Sequence, residues 1–347
     1  MLDDTNVIKQ RDPQDALGVA GLQYQQAEFE AEVINQPADG ANITSVVVAG
    51  MGGSALAALL VKAWLKEELG VPLEIVRNYN LPSYAGQNTL VIASSYSGNT
   101  EETLSVLSQA ESKNSKVSVI ASGGKLAEYA TSKEAVPHVI LPGDLQPRMA
   151  VILNLRALLA LLVSFDIVSK TRLDDIASAS DWLKTESAKW DPAVPTDQNY
   201  AKQLALESAG KTAVLYGGSL TGALAYKWKI GWNENAKNTA FWNEYPEFNH
   251  NEFIGWTSHP VEKPFAIFDL VSNLEHSQIL KRFEVSDRLL SGKRPKATVI
   301  NLQGETTIQQ LLWGSILADY ASIYLAILNG VNPTPVDLIE KLKAELE

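Results

Sequence analysis

Short β-branched runs alternate with segments of helical period along the first half of the chain. "TSVVVAG" (44–50), "LEIVRN" (73–78), "TLVIASS" (89–95), "KVSVIAS" (116–122) and "PHVILPG" (137–143) read as strands, with amphipathic stretches between several of them. Near-continuous apolar runs belong to strands buried on both faces, so the expected architecture is α/β, a doubly wound parallel sheet covered by helices. The pattern restarts with "KTAVLYGGS" (211–219), "KPFAIFDL" (263–270) and "KATVINLQ" (296–303). Between the halves, 170–199 mixes helix-like and Pro/Asp-rich pieces, which puts the expected domains at 1–169 and 170–347. The longest apolar stretch in this reading, "MAVILNLRALLALLVSFDIV" (149–168), is interrupted by Asn154, Arg156 and Asp166 and fits a buried core helix better than a membrane span.

The two halves resemble each other. "VVVAGMGGSALAALLVKAWL" and "TAVLYGGSLTGALAYKWKIGW" are each a strand, a turn containing Gly-Gly-Ser, and an Ala/Leu-rich helix with a late Trp, which reads as an internal duplication. The first turn, Gly50-Met51-Gly52-Gly53-Ser54-Ala55, also satisfies a loose dinucleotide-binding pattern. That pattern wants an acidic residue closing the next strand, whereas "LEIVRNYN" has Glu74 near its start and ends in Arg77 and Asn78. No nucleotide cofactor is expected.

A second polar turn follows the strand at 89–94. Gly98 gives it the freedom of positive φ, "TEETLSVLSQAESKN" (100–114) is the next helix, and Asn99 or Thr100 is its N-cap, with Glu101 and Glu102 at the positive end of the dipole. One cap does not account for Ser95, Ser97 and Thr100 together. Neutral hydroxyls and backbone N–H groups at a helix N-terminus form a cradle for a phosphate monoester, and Ser54 on the neighbouring glycine turn faces the same crevice.

Composition narrows the ligand. A net charge of −11 argues against nucleic acid as partner, while leaving room for a small anion held by a local site. The chain has no cysteine, which removes disulfides and thiolate chemistry and favours a reducing cytoplasm. The polar, acidic start "MLDDTNVIKQRDPQDALG" lacks the features of a targeting peptide. His138, His259 and His276 are scattered, so no metal site is expected.

"GMGGSA", "SSYSGNTEET" and "ASGGKLAEYA" together resemble the sugar isomerase (SIS) domain, a doubly wound module that binds phosphosugars. "GWNENAKNTAFWNEYPEFNHNEFIGW" (231–256) resembles the signature of the bifunctional phosphoglucose/phosphomannose isomerases. The resemblance runs from about residue 40 onward and implies two SIS-like subdomains. It implies phosphate binding by Gly52, Gly53, Ser54, Ser95, Ser97 and Thr100. It makes Glu234 the catalytic base, His250 the ring-opening residue supplied by a neighbouring subunit of a homodimer, and Arg148 of "LQPRMA" the charge that steadies the intermediate. The family also has a C-terminal lysine at the site. Here Lys341 and Lys343 compete for that role, because side chains two apart face different ways on a helix, and Thr334 is a further substrate contact.

The implied reaction interconverts glucose 6-phosphate, and mannose 6-phosphate, with fructose 6-phosphate through an enediol. A carboxylate at its ordinary pKa of about 4.3 is a feeble base toward carbon, so a desolvating surround is expected, with Trp232, Phe241 and Trp242 as its source. A fixed guanidinium stabilises enediolate charge, and a histidine near neutrality carries the ring proton. Glu244 and Glu252 are weaker rivals for the base. Two other readings compete: a catalytically silent phosphosugar-binding regulator and an aminosugar-phosphate isomerase.

Overall fold

The computed structural model describes residues 1–37, 42–260 and 262–346. The chain forms two compact units: Gln23–Asp181, here the first unit, and Met1–Leu22 together with Trp182 onward, the second. The sequence places the expected division at 169/170, whereas the compact units divide at 22/23 and 181/182. The opening helices α1 (Thr5–Arg11) and α2 (Ala16–Gly21) pack on the long helix Thr307–Asn329, where Arg11 donates to Ile327 O, and Asp3 accepts from Lys202 Nζ at 2.9 Å. Residues 171–177 instead pack on Val151–Ser164, where the buried Arg156 guanidinium donates to Leu173 O.

In the first unit the strands are β1 (Ser45–Ala49), β2 (Leu73–Val76), β3 (Thr89–Ser94), β4 (Lys116–Ala121) and β5 (His138–Ile140), in the order β2-β1-β3-β4-β5. All pairs are parallel, and every residue of β1 and β3 is buried, as their unbroken apolar runs require. The crossover helices are α3 (Gly52–Trp64), α4 (Glu101–Ser112) and α5 (Gly124–Thr131), and after β5 comes α6 (Val151–Ser164), the expected core helix, with α7 (Thr171–Ala177) beside it. Val47, Ala49 and Val91 of the sheet cluster with Val106 and Ala110 of α4, burying one face.

Past α8 (Ser180–Ser187) and α9 (Tyr200–Ser208), the second unit repeats the plan. Strands β6 (Thr212–Gly217), β7 (Ala240–Glu244), β8 (Phe265–Val271) and β9 (Thr298–Asn301) form an all-parallel sheet in the order β7-β6-β8-β9, the same 2-1-3-4 succession as the first sheet. Helices α10 (Gly222–Glu234), α11 (Glu252–Gly255), α12 (Ser277–Leu289), α13 (Thr307–Asn329) and α14 (Asp337–Leu346) complete it.

Two elements escape the pattern reading. β7 is an edge strand, "AFWNE", with one buried residue and no β-branched residue, and its sequence carries no alternating or continuous apolar signal. α13, not the 149–168 stretch, is long and apolar enough to cross a membrane, and 94% of its apolar window is buried inside the protein. Its Asp319 is neutralised there by Lys227 of α10 at 2.6 Å, both about 1% exposed.

Candidate active site

Ligands of doubly wound sheets bind outside the carboxyl ends of the strands where the strand order reverses. In the first unit that point lies between β1 and β3, and both sequence-predicted turns meet it. Gly52 and Gly53 open α3, so their N–H groups have no partner within the helix. Ser54 Oγ accepts from Tyr96 N at 3.1 Å, stapling one turn to the other and leaving its own proton for a ligand. Gly98 takes φ +73, as its position in the turn requires, and its N–H donates to Ser95 Oγ at 3.1 Å. Thr100 is the N-cap of α4 by position, but its side chain does not cap. It pairs with Ser95 Oγ at 2.7 Å, while the exposed Ser97 hydroxyl lies 3.5 Å from Ser95. The hydroxyls are thus bound chiefly to one another and to turn N–H groups, a neutral, donor-rich cradle.

The third motif, "ASGGKLAEYA", supports this loop rather than lining it. A Cβ on Gly98 would stand 1.8 Å from Gly123 O, and Asn99 Oδ1 accepts from Lys125 N at 3.0 Å. Glycine also brings the backbone of the turn that carries Arg148 up to α3, while the Arg148 guanidinium donates to Gln146 Oε1 at 3.3 Å. A Cβ on Gly53 would fall 2.6 Å from Pro147 O and 3.1 Å from Arg148 N, so only glycine lets the Pro147–Met149 turn approach, and Arg148 ends 2% exposed. Tyr96, which the sequence reading misses, holds the approach to that turn: its hydroxyl donates to Pro142 O at 2.7 Å and accepts from Leu145 N at 3.2 Å. An aromatic inside a hydroxyl loop is the available signal.

The corresponding reversal in the second unit, between β6 and β8, is filled from within. Glu275 accepts from Leu220 N at 2.8 Å, and Glu244 lies against Gly222 at the start of α10. Burial first, and the Glu275 charge second, push the Glu244 carboxyl above its ordinary range. Of these two crevices, the first unit's is the one lined by neutral donors. Glu252 is committed to structure, accepting from the Tyr216 hydroxyl and from Asn243 Nδ2 at 2.8 Å.

Glu234 ends α10, half-buried, among residues pinned on every side. Asn233 Nδ2 donates to Asn238 O at 2.9 Å, Asn235 Nδ2 to Ser322 Oγ at 2.9 Å, and Asn238 Nδ2 to Lys211 O at 3.0 Å, just before β6 begins. The aromatic surround expected from sequence is not built as expected. Trp232 turns to the opposite side of the helix, stacked on Trp228 at 5.0 Å and against Phe268, and Phe241 is 58% exposed. Trp242 packs on Tyr226.

His250 is exposed, yet its neighbours are fixed: Asn249 donates to Ser286 Oγ at 2.8 Å and accepts from Arg282 at 3.0 Å, and Phe248 is buried against Tyr216 and Tyr245. This segment follows the carboxyl end of β7, where Tyr245 N bonds Gly217 O, whereas Glu234 lies at the amino end, beside Lys211 and Asn238. The length of α10 or of β7 separates them, ~15–20 Å by helix and strand rise. One hexose does not span that distance. Thr334 is half-buried, its N–H on Asn332 Oδ1 at 3.0 Å. Lys341 and Lys343 both stand exposed on α14, Lys343 paired with Glu340 at 2.8 Å.

Residues 41–163 match the SIS domain, and residues 197–346 match the bacterial phospho-glucose isomerase C-terminal SIS domain. A bifunctional phosphoglucose/phosphomannose isomerase of Caldicellulosiruptor bescii is 36% identical over 307 residues, 88% of this chain and 90% of the relative. One of Aquifex aeolicus is 32% identical over 305 residues, 87% and 90% of the two chains. Among solved structures, a glucose-6-phosphate isomerase like protein from Thermus thermophilus superposes with a TM-score of 0.67 at 17% identity, covering 99% of this chain and 98% of that one.

Proposed function

The chain belongs to the bifunctional phosphoglucose/phosphomannose isomerase family, and from that premise we propose that it interconverts glucose 6-phosphate and mannose 6-phosphate with fructose 6-phosphate. The observation that carries this reading is the neutral hydroxyl cradle at the β1/β3 reversal, with the backbone of the Pro147–Arg148 turn packed against Gly53 beside it. The phosphate takes the hydroxyls of Ser54, Ser95, Ser97 and Thr100 and the N–H groups of Gly52 and Gly53. Glu234 moves a proton between C2 and C1 through a cis-enediol, and Arg148 stabilises the enediolate without exchanging a proton itself. Dual specificity follows if the opened sugar rotates about C2–C3, presenting either epimer's proton to the same carboxylate.

His250 opens the ring. Because Glu234 and His250 of one chain stand at opposite ends of β7, the active form in this reading is a homodimer in which each site takes the partner subunit's His250. Thr334 contacts the substrate. Of the two lysines, Lys341 is the better candidate, since Lys343 already holds Glu340. The cysteine-free composition suits a reducing cytoplasm.

The test is turnover of fructose 6-phosphate with both aldose products resolved. Wild type should give both. Glu234→Gln should lower kcat by roughly 10²–10⁴-fold while calorimetric binding of the sugar phosphate persists. A Glu234→Gln enzyme with full activity would remove Glu234 from the role of base.

A further inference from the structure

A residue that bonds the Glu234 carbonyl is one to which the reaction assigns no role. Lys237, three residues past the end of α10, adopts φ +49, the left-handed region that lysine rarely enters. Its Nζ donates to Asn332 O at 2.7 Å, Glu234 O at 2.9 Å and Pro333 O at 3.0 Å, with Asn235 O at 3.4 Å. An ammonium has three protons, and here they meet three short carbonyl acceptors with a fourth at the margin. Four carbonyl oxygens converging on one cation, two from the negative end of a helix and two from a loop 95 residues further along, would repel one another without it.

The clamp joins two pieces of the proposed site. On one side is the carbonyl of Glu234 itself. On the other is the loop that leads through Thr334 to α14 and Lys341. Parallel ties run beside it: Asn329 Nδ2 donates to Ala236 O at 3.0 Å, and Asn332 Nδ2 to Gln14 Oε1 at 2.8 Å. Those ties hold the ends of the segment, whereas Lys237 bonds the carbonyl of Glu234 and those of the two residues preceding Thr334 with one atom.

We propose that Lys237 is a positioning residue that sets the register of the Glu234 carboxylate against the Thr334 loop, its ammonium serving as a built-in cation for a carbonyl cage. The inference rests on the reading of Glu234 as the base. A displacement of about 1 Å between a base and its substrate costs on the order of 10²-fold in rate, with little change in how the phosphate is held.

The experiment measures kcat, KM and pH–rate profiles for fructose 6-phosphate with Lys237→Met and Lys237→Gly, the glycine variant accepting the left-handed backbone without strain. Thermal unfolding is followed in parallel. Expected are kcat values reduced roughly 10- to 100-fold, KM little changed, pH limbs unmoved, and recovery of Lys237→Gly by ammonium chloride but not by tetramethylammonium chloride. Glu234→Gln should not respond to ammonium. Wild-type kcat in Lys237→Met would overturn the proposal, and so would losses that merely track the fraction unfolded, or recovery by both salts alike. An active Glu234→Gln would instead overturn the base assignment, so the two failures are distinguishable.

Discussion

Asp269 sits in the middle of β8, 1% exposed, and neither of its carboxylate oxygens finds a hydrogen-bond donor among the described residues. Burial pushes its carboxyl up to about 7 despite the pull of Arg294. The unfolded chain releases this proton near its ordinary value of about 3.9, so between there and about 7 the folded state holds more protons. Stability therefore falls as pH rises through that window, by up to roughly 4 kcal/mol. Denaturant midpoints measured from pH 5 to 8 should decline in wild type and flatten in Asp269→Asn; parallel slopes would contradict this origin. At the same scale, single residues are legible where local geometry alone decides, as with the positive φ at Gly98. Trp232 is not, because nearness in sequence is not nearness on a helix: two residues before Glu234, its side chain points to the other side, into the Trp228–Phe268 core.

The elements that build the cradle depend on glycines for two different reasons, which substitution separates. A Cβ on Gly53 meets backbone of the Pro147–Arg148 turn, which cannot move aside without moving Arg148, whereas Gly52 has open space and only its φ of +48 to defend. Gly53→Ala should raise KM for fructose 6-phosphate about tenfold or more and lower kcat, at a stability cost of ~1–3 kcal/mol, with Gly52→Ala markedly milder. Kinetics and thermal unfolding of the pair check this; equal effects would mean that backbone strain, not close approach, governs the site. Eight of the nine strands among the described residues announce themselves as β-branched, apolar runs, the partly exposed edge strands β2 and β9 included. β7 does not, because "AFWNE" has no β-branched residue, and α13 escapes notice although its buried charge is matched by Lys227.

Across the whole molecule, the two Gly-Gly-Ser turns foreshadow the duplicated strand order, but not the difference in what each half does with its crevice. One is lined with hydroxyls and the other closes on its own Glu275. The packing of residues 1–22 with the distant second half is likewise hidden, since it depends on contacts such as Asp3 with Lys202. The central claim is that the reaction needs a carboxylate and an imidazole that one chain keeps at opposite ends of β7. Its most direct measurement mixes two inactive proteins, Glu234→Gln and His250→Ala, dissociates and reassociates them, and assays fructose 6-phosphate turnover. A hybrid dimer then holds one site with both residues intact, so random reassortment should restore about a quarter of wild-type activity. Mixing that restores nothing, in a sample verified to contain hybrids, would contradict the account.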